Sequence, residues 1–159
     1  MMMTTALTAI PPLRHSFEDT INMGCEEEPI IRTRILVVDD HYIMRRGLCE
    51  LLSQQPGFEV VAAVSNAQQA VEIAQQESFD LAIVDVSLGE VDGIELTSRL
   101  KSQHPDLIVL ILSMHEEALF AHRAAGAGAS GFVAKQRAGE TLLPAIRHVL
   151  NGEYYFSHL

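Results

Sequence analysis

Ile35-Leu36-Val37-Val38-Asp39-Asp40 is an unbroken apolar run, rich in β-branched residues, that stops on two carboxylates. The same design recurs downstream. Leu81-Ala82-Ile83-Val84 ends on Asp85, the run from Leu107 to Leu112 ends on Ser113, and Gly131-Phe132-Val133-Ala134 ends on Lys135. Short apolar runs with no polar alternation, separated by helix-like stretches, read as strands buried on both faces of a parallel sheet. Parallel strands share one direction, so their C-terminal ends meet along one edge. Three aspartates, a hydroxyl and a lysine are thereby expected in one crevice.

Between these runs the pattern turns helical. Ile43, Met44, Gly47, Leu48, Leu51 and Leu52 are expected to share one helical face, ended by Gln55-Pro56-Gly57. Phe58 to Val64 reads as the second strand, and Asn66 as the N-cap of a helix burying Ala67, Ala70, Val71 and Ala74, closed by Ser78. Asp92 caps a third helix to about Gln103, stopped at His104-Pro105-Asp106. A fourth helix is expected from about Glu116 to Ala125. The last carries Leu142, Leu143, Ile146, Val149 and Leu150 and stops at Asn151-Gly152. Five strand-helix units predict an α/β fold, a (βα)5 doubly wound five-stranded parallel sheet.

The 159 residues suffice for one domain over residues 33–152, with an N-terminal extension at 1–32 and a C-terminal tail or start of a linker at 153–159. The extension, with Met1-Met2-Met3, Pro11-Pro12 and Glu26-Glu27-Glu28, shows no periodicity and is expected to be mobile. Met23 could serve as a second translation start, but Glu28 spoils a myristoylation signal there. Eleven Lys and Arg against 21 Asp and Glu give a net charge of −10 without any basic block, which argues against nucleic acid or an anionic membrane as a direct partner. Cys25 and Cys49 lack metal-ligand spacing, no stretch approaches the about 18 apolar residues of a membrane span, and the N-terminus does not read as a signal peptide. A cytoplasmic protein is expected.

Adjacent Asp39 and Asp40 facing Asp85 repel one another, and a hard divalent cation relieves that repulsion. Mg²⁺ suits a site with few carboxylates that leaves a position for a phosphate oxygen. One carboxylate could then act as nucleophile toward a phosphoryl donor, and Asp85, alone at the end of the middle strand, is best placed. Lys135 can neutralise the transferring oxygens, and the Ser113 hydroxyl can bond one of them. Taken singly, each group has an ordinary explanation: a solvated turn, a loop cap, a helix N-cap, a surface charge. Their joint placement at four strand ends is what points to function.

These residues resemble the receiver domain of bacterial two-component response regulators. The resemblance covers about Arg34 to Gly152 and rests on the stretch Ile35 to His41, on Ala82-Ile83-Val84-Asp85, on Asp92-Gly93, on Leu112-Ser113, and on Ala125-Gly126 through Gly131 to Lys135. Asp39-Asp40-His41 and Ala129-Ser130-Gly131-Phe132 look most like the NarL/FixJ (LuxR-type) subfamily. The resemblance implies a flavodoxin-like receiver fold with Asp85 as phosphoacceptor. It also implies Mg²⁺ held by Asp40 directly, by Asp39 partly through water, by Asp85 and by the Ser87 main-chain carbonyl. Lys135 would pair with the phosphoryl group. Ser113 would move toward that group, and Phe132 would turn inward to follow it; otherwise Phe132 is a plain core aromatic.

The same resemblance implies a sensor histidine kinase or phosphotransfer protein as phosphodonor, and a homodimer using Leu119 and the last helix. It also implies a role in transcription through an output domain outside this chain. The chain could instead be a stand-alone or degenerate receiver that only binds proteins. Tyr154-Tyr155-Phe156 then reads as the start of an interdomain linker or as a frayed aromatic tail. Leu88-Gly89 stands where the family usually has Met-Pro, so a looser loop is expected there. Ala67 and Gln136 also depart from the common pattern, while Ser87 and His115 would border the path of attacking water. A Mg²⁺-dependent phosphatase on a similar sheet would want its first two aspartates one residue apart, and a nucleotide-binding protein a glycine-rich loop.

Overall fold

A computed structural model describes residues 29–115 and 118–156. The expected extension lies outside the described residues except for Pro29 to Arg32, which are exposed. The strands β1 (Thr33–Val38), β2 (Phe58–Val64), β3 (Leu81–Asp85), β6 (Ile108–Ser113) and β7 (Gly131–Ala134) form a sheet in the order β2-β1-β3-β6-β7, with every pair parallel. Helices α1 (Tyr42–Ser53), α2 (Ala67–Gln76), α3 (Gly93–Gln103), α4 (Ala118–Gly126) and α5 (Ala138–Leu150) link them. The five-stranded (βα)5 flavodoxin-like architecture read from the sequence is the one observed. The expected start of α4 at Glu116 falls outside the described residues.

Alternation along each strand sorts the core into two halves. Ile35, Val37, Leu81, Ile83, Leu110 and Leu112 pack under Leu48 and Leu52 of α1 and Leu142, Ile146 and Val149 of α5. Leu36, Val38, Ala82, Val84, Val109 and Ile111 pack on the other side under α2, α3 and α4. Because both faces are covered, these strands read as continuous apolar runs rather than as alternating ones. Asn66 and Asp92 cap α2 and α3 as expected, accepting from the Gln69 N–H at 2.9 Å and the Ile94 N–H at 2.8 Å.

Two expectations are corrected, on the face of α1 and on the chain past α5. Ile43 is 84% exposed and Gly47 is also exposed, because each lies about 100° around the helix from the Met44–Leu48–Leu52 row that faces the sheet. In the loop after Asp85, β4 (Ser87–Leu88) and β5 (Val91–Asp92) pair antiparallel, with Leu88 buried and Gly89 at φ +78 making the turn. The chain past α5 does not fray at once. Tyr155–Phe156 forms β8, a sixth strand parallel to β7, with the Tyr155 N–H donating to the Ser130 carbonyl at 3.0 Å.

Gly131 makes the β8 contact possible. A Cβ there would stand 2.5 Å from Leu110 Cδ1 and 3.0 Å from the Tyr155 carbonyl oxygen. Gly131→Ala is therefore expected to lift β8 from the sheet at a cost of about 1–3 kcal/mol. Faster hydrogen exchange at the Tyr155 amide and a lower thermal midpoint would register it; unchanged exchange would show that β8 does not depend on this approach.

Candidate functional site

Asp39 follows β1 directly and is fully buried. Its N–H donates to the Val64 carbonyl at 3.1 Å, and its Oδ1 accepts from the His41 N–H at 2.8 Å. Asp85 closes β3 and is 1% exposed; its Oδ1 accepts from the Ser87 N–H at 3.1 Å and its Oδ2 from Lys135 Nζ at 2.8 Å. Lys135, the residue after β7, also brings Nζ within 2.9 Å of Asp39 Oδ2. That approach is an ion pair without hydrogen-bond geometry, so Asp39 Oδ2 is a buried oxygen with an unused lone pair. Asp40 projects outward, its side chain 39% exposed.

The charges do not balance. Burial pushes the Asp85 carboxyl above its ordinary pKa and the Asp39 charge adds to the effect, while Lys135 and the Ser87 N–H pull the other way. For Lys135, burial acts to lower the pKa, but the hydrogen bond to Asp85 and the negative charges of Asp85 and Asp39 outweigh it and the ammonium is held above its ordinary value. One cation is thus shared between two buried carboxylates, with Asp40 adding a third acid. Asp39, Asp40, His41 and Asp85 each present a ligand atom, all within 4.8 Å of one another. Three carboxylates with an orphaned buried oxygen fit a hard, oxygen-seeking cation, so the donor chemistry suits Mg²⁺.

Ser113 ends β6 between the strands bearing Asp85 and Lys135. It is fully buried, and its Oγ accepts from the His115 N–H at 3.0 Å. Phe132 is 2% exposed within the core half that faces α2, α3 and α4. Ser87 reaches Asp85 through its N–H, and its side chain is exposed. His115 is exposed and stacks on Phe120, ring centroids 5.4 Å apart.

Two participants carry no site role in the sequence reading, although His41 stands in the stretch that bears the resemblance. His41 Nδ1 lies 2.9 Å from Asp40 Oδ1 and 3.7 Å from Asp85 Oδ2, and the signal that could have found it is its position directly after the aspartate pair. Arg45 Nη1 donates to the Asp39 main-chain carbonyl at 2.6 Å. Gly93 has a purely spatial role: its N–H donates to the Val86 carbonyl at 2.7 Å, and a Cβ would sit 1.9 Å from the Asp85 carbonyl oxygen.

Among the described residues no helix is long and apolar enough to cross a membrane. The sequence profile of the response regulator receiver domain matches residues 35–147. The chain is 32% identical over 124 residues to the transcriptional regulatory protein DegU of Brevibacillus brevis, covering 78% of this chain and 52% of DegU. It is 40% identical over 124 residues to a putative transcriptional regulator of Pseudomonas aeruginosa, covering 78% of this chain and 59% of that protein. The chain therefore spans little more than half the length of these relatives. A two-component response regulator of the LuxR family from Aurantimonas sp. SI85-9A1 superposes with a TM-score of 0.76 at 35% identity, covering 79% of this chain and 90% of that one. With the sheet order, the acidic pocket and the profile in agreement, the chain belongs to the response regulator receiver domain family and is most similar to its NarL/FixJ type.

Proposed function

We propose that this domain is a phosphorylation-controlled signalling switch in which Asp85 accepts a phosphoryl group from the phosphohistidine of a sensor histidine kinase or phosphotransfer protein. The observation that carries this reading is the buried Asp85 carboxylate, bonded to Lys135 at 2.8 Å and sharing its pocket with Asp39 and Asp40. An Asp85 carboxylate oxygen attacks phosphorus as the phosphorus–nitrogen bond of the donor breaks, and the imidazole leaves with that electron pair. Mg²⁺ bound by Asp39, Asp40, Asp85 and the Ser87 carbonyl would neutralise charge on the transferring oxygens. Lys135 shifts from the bare carboxylate to a phosphoryl oxygen, and the Ser113 hydroxyl turns from the His115 N–H to donate to another. Phe132, paired with Ile111 on the strand that ends at Ser113 and buried in the core half facing α4, carries that movement toward α4.

The same reading places the domain in the cytoplasm and makes it the regulatory half of a longer transcription regulator, as the length of its relatives suggests. A homodimer belongs to it through α4, where Leu119 is 64% exposed. On the last helix Leu142, Ile146 and Val149 pack into the domain's own core, and the partly buried Leu143 and Leu150 are the apolar side chains available to such a contact. Incubation with acetyl phosphate and Mg²⁺ is expected to add one phosphoryl mass, and chelation of the metal or Asp85→Asn to prevent it. Multiple turnover on a phosphoester, or no mass gain at all, would overturn the switch.

A further inference from the structure

Arg45 sits one turn into α1, a place where a charged residue ordinarily faces water. Here it is half-buried and turns back over six residues. Its Nη1 donates to the Asp39 carbonyl at 2.6 Å, and its guanidinium lies over the Tyr42 ring at 5.7 Å. That carbonyl belongs to the peptide joining Asp39 to Asp40, and a peptide is planar, so holding its oxygen also fixes the Asp40 nitrogen. The rest of Asp39 is already held, by Val64 at its N–H and by His41 at Oδ1. Among the described hydrogen bonds, only Arg45 holds the Asp39 carbonyl. Its own N–H donates to the His41 carbonyl at 2.9 Å, so the arginine grips both ends of the turn that presents Asp39, Asp40 and His41.

We propose that Arg45 is a positioning residue for cation binding: it fixes the Asp39–Asp40 peptide and so aims both carboxylates at one divalent ion. The inference rests on the proposed Mg²⁺-dependent switch and adds an arginine that touches neither the ion nor the phosphoryl group. Two effects of removing it have opposite sign. Loss of a nearby positive charge favours a cation in the pocket, whereas loss of a support behind metal ligands typically weakens metal binding by about 10–100-fold.

Titration with magnesium chloride, followed by thermal midpoint and by phosphoryl mass gained from acetyl phosphate, separates them. Arg45→Met is expected to need about tenfold more Mg²⁺ by both readouts and to reach the wild-type yield at saturation. Arg45→Lys, which keeps the charge and offers one donor, should fall between. A Mg²⁺ midpoint for Arg45→Met at or below the wild-type value overturns the inference, even if the metal-free protein melts earlier. If Arg45→Met does not fold, Arg45→Lys decides, and an unchanged midpoint there overturns it. Wild-type protein that takes up no phosphoryl group overturns the proposed function instead, while its Mg²⁺-dependent melting still tests Arg45.

Discussion

Gly93→Ala is expected to abolish phosphoryl uptake and to cost the fold roughly 3 kcal/mol, the upper end of overpacking penalties. The added methyl would stand 1.9 Å from the Asp85 carbonyl oxygen, 2.8 Å from its carbonyl carbon and 3.0 Å from Val86 Cα. All three are backbone atoms, so no rotamer change makes room. Either β3 shifts at the residue that carries the reacting carboxylate, or the start of α3 moves away and breaks the Gly93–Val86 hydrogen bond. The backbone at Gly93 is not in the left-handed region, so space is the whole of the requirement. Urea unfolding with a phosphoryl mass measurement checks this, and wild-type values for both would refute the close approach.

Asp85→Asn should raise the thermal midpoint of the metal-free protein, and the gain should depend on pH in a defined direction. Burial raises the Asp85 pKa in the fold, so the folded state holds this proton more tightly than the unfolded chain does. At low pH, with the carboxyl neutral in both states, wild type and variant should be similarly stable. As pH rises above the ordinary carboxylate pKa, the unfolded chain ionises first and wild type loses stability relative to the asparagine form. Lys135 keeps Asp39 at 2.9 Å in the variant, which leaves one buried acid for one buried base. Each kcal/mol recovered corresponds to roughly 2–8 °C in a domain of this size. Mg²⁺ should stabilise wild type more than the variant, since it offsets the charge that asparagine removes. A variant that melts earlier at neutral pH would show that the Lys135 pair outweighs the repulsion.

What could be read from the chain alone followed from how strongly each element signals. Strands covered on both faces leave apolar runs such as Ile35–Val38, and the groups closing those runs were legible because parallel strands bring their ends together. Asn66 and Asp92 were legible as caps by residue type. Two-residue strands such as β4, β5 and β8 have no periodicity to read, and their existence depends on Gly89 and Gly131 relative to partners distant in sequence. Ile43 was misplaced because a patch of apolar residues in a short helix does not reveal which row meets the sheet. Arg45 escaped notice because its function lies in a contact with a carbonyl, a group that every residue possesses.

The two borders of the sheet are both poor templates for a foreign strand. At one, β8 offers Tyr155 and Phe156 among the described residues. At the other, β2 is longer, but the pairing with β1 skips Val61 between Ile35 and Leu36, and Glu59 places a charge along the same strand. Such irregular or short margins discourage edge-to-edge pairing between sheets. A foreign strand therefore finds no long, regular edge among the described residues, which lowers the chance that this sheet seeds fibrils.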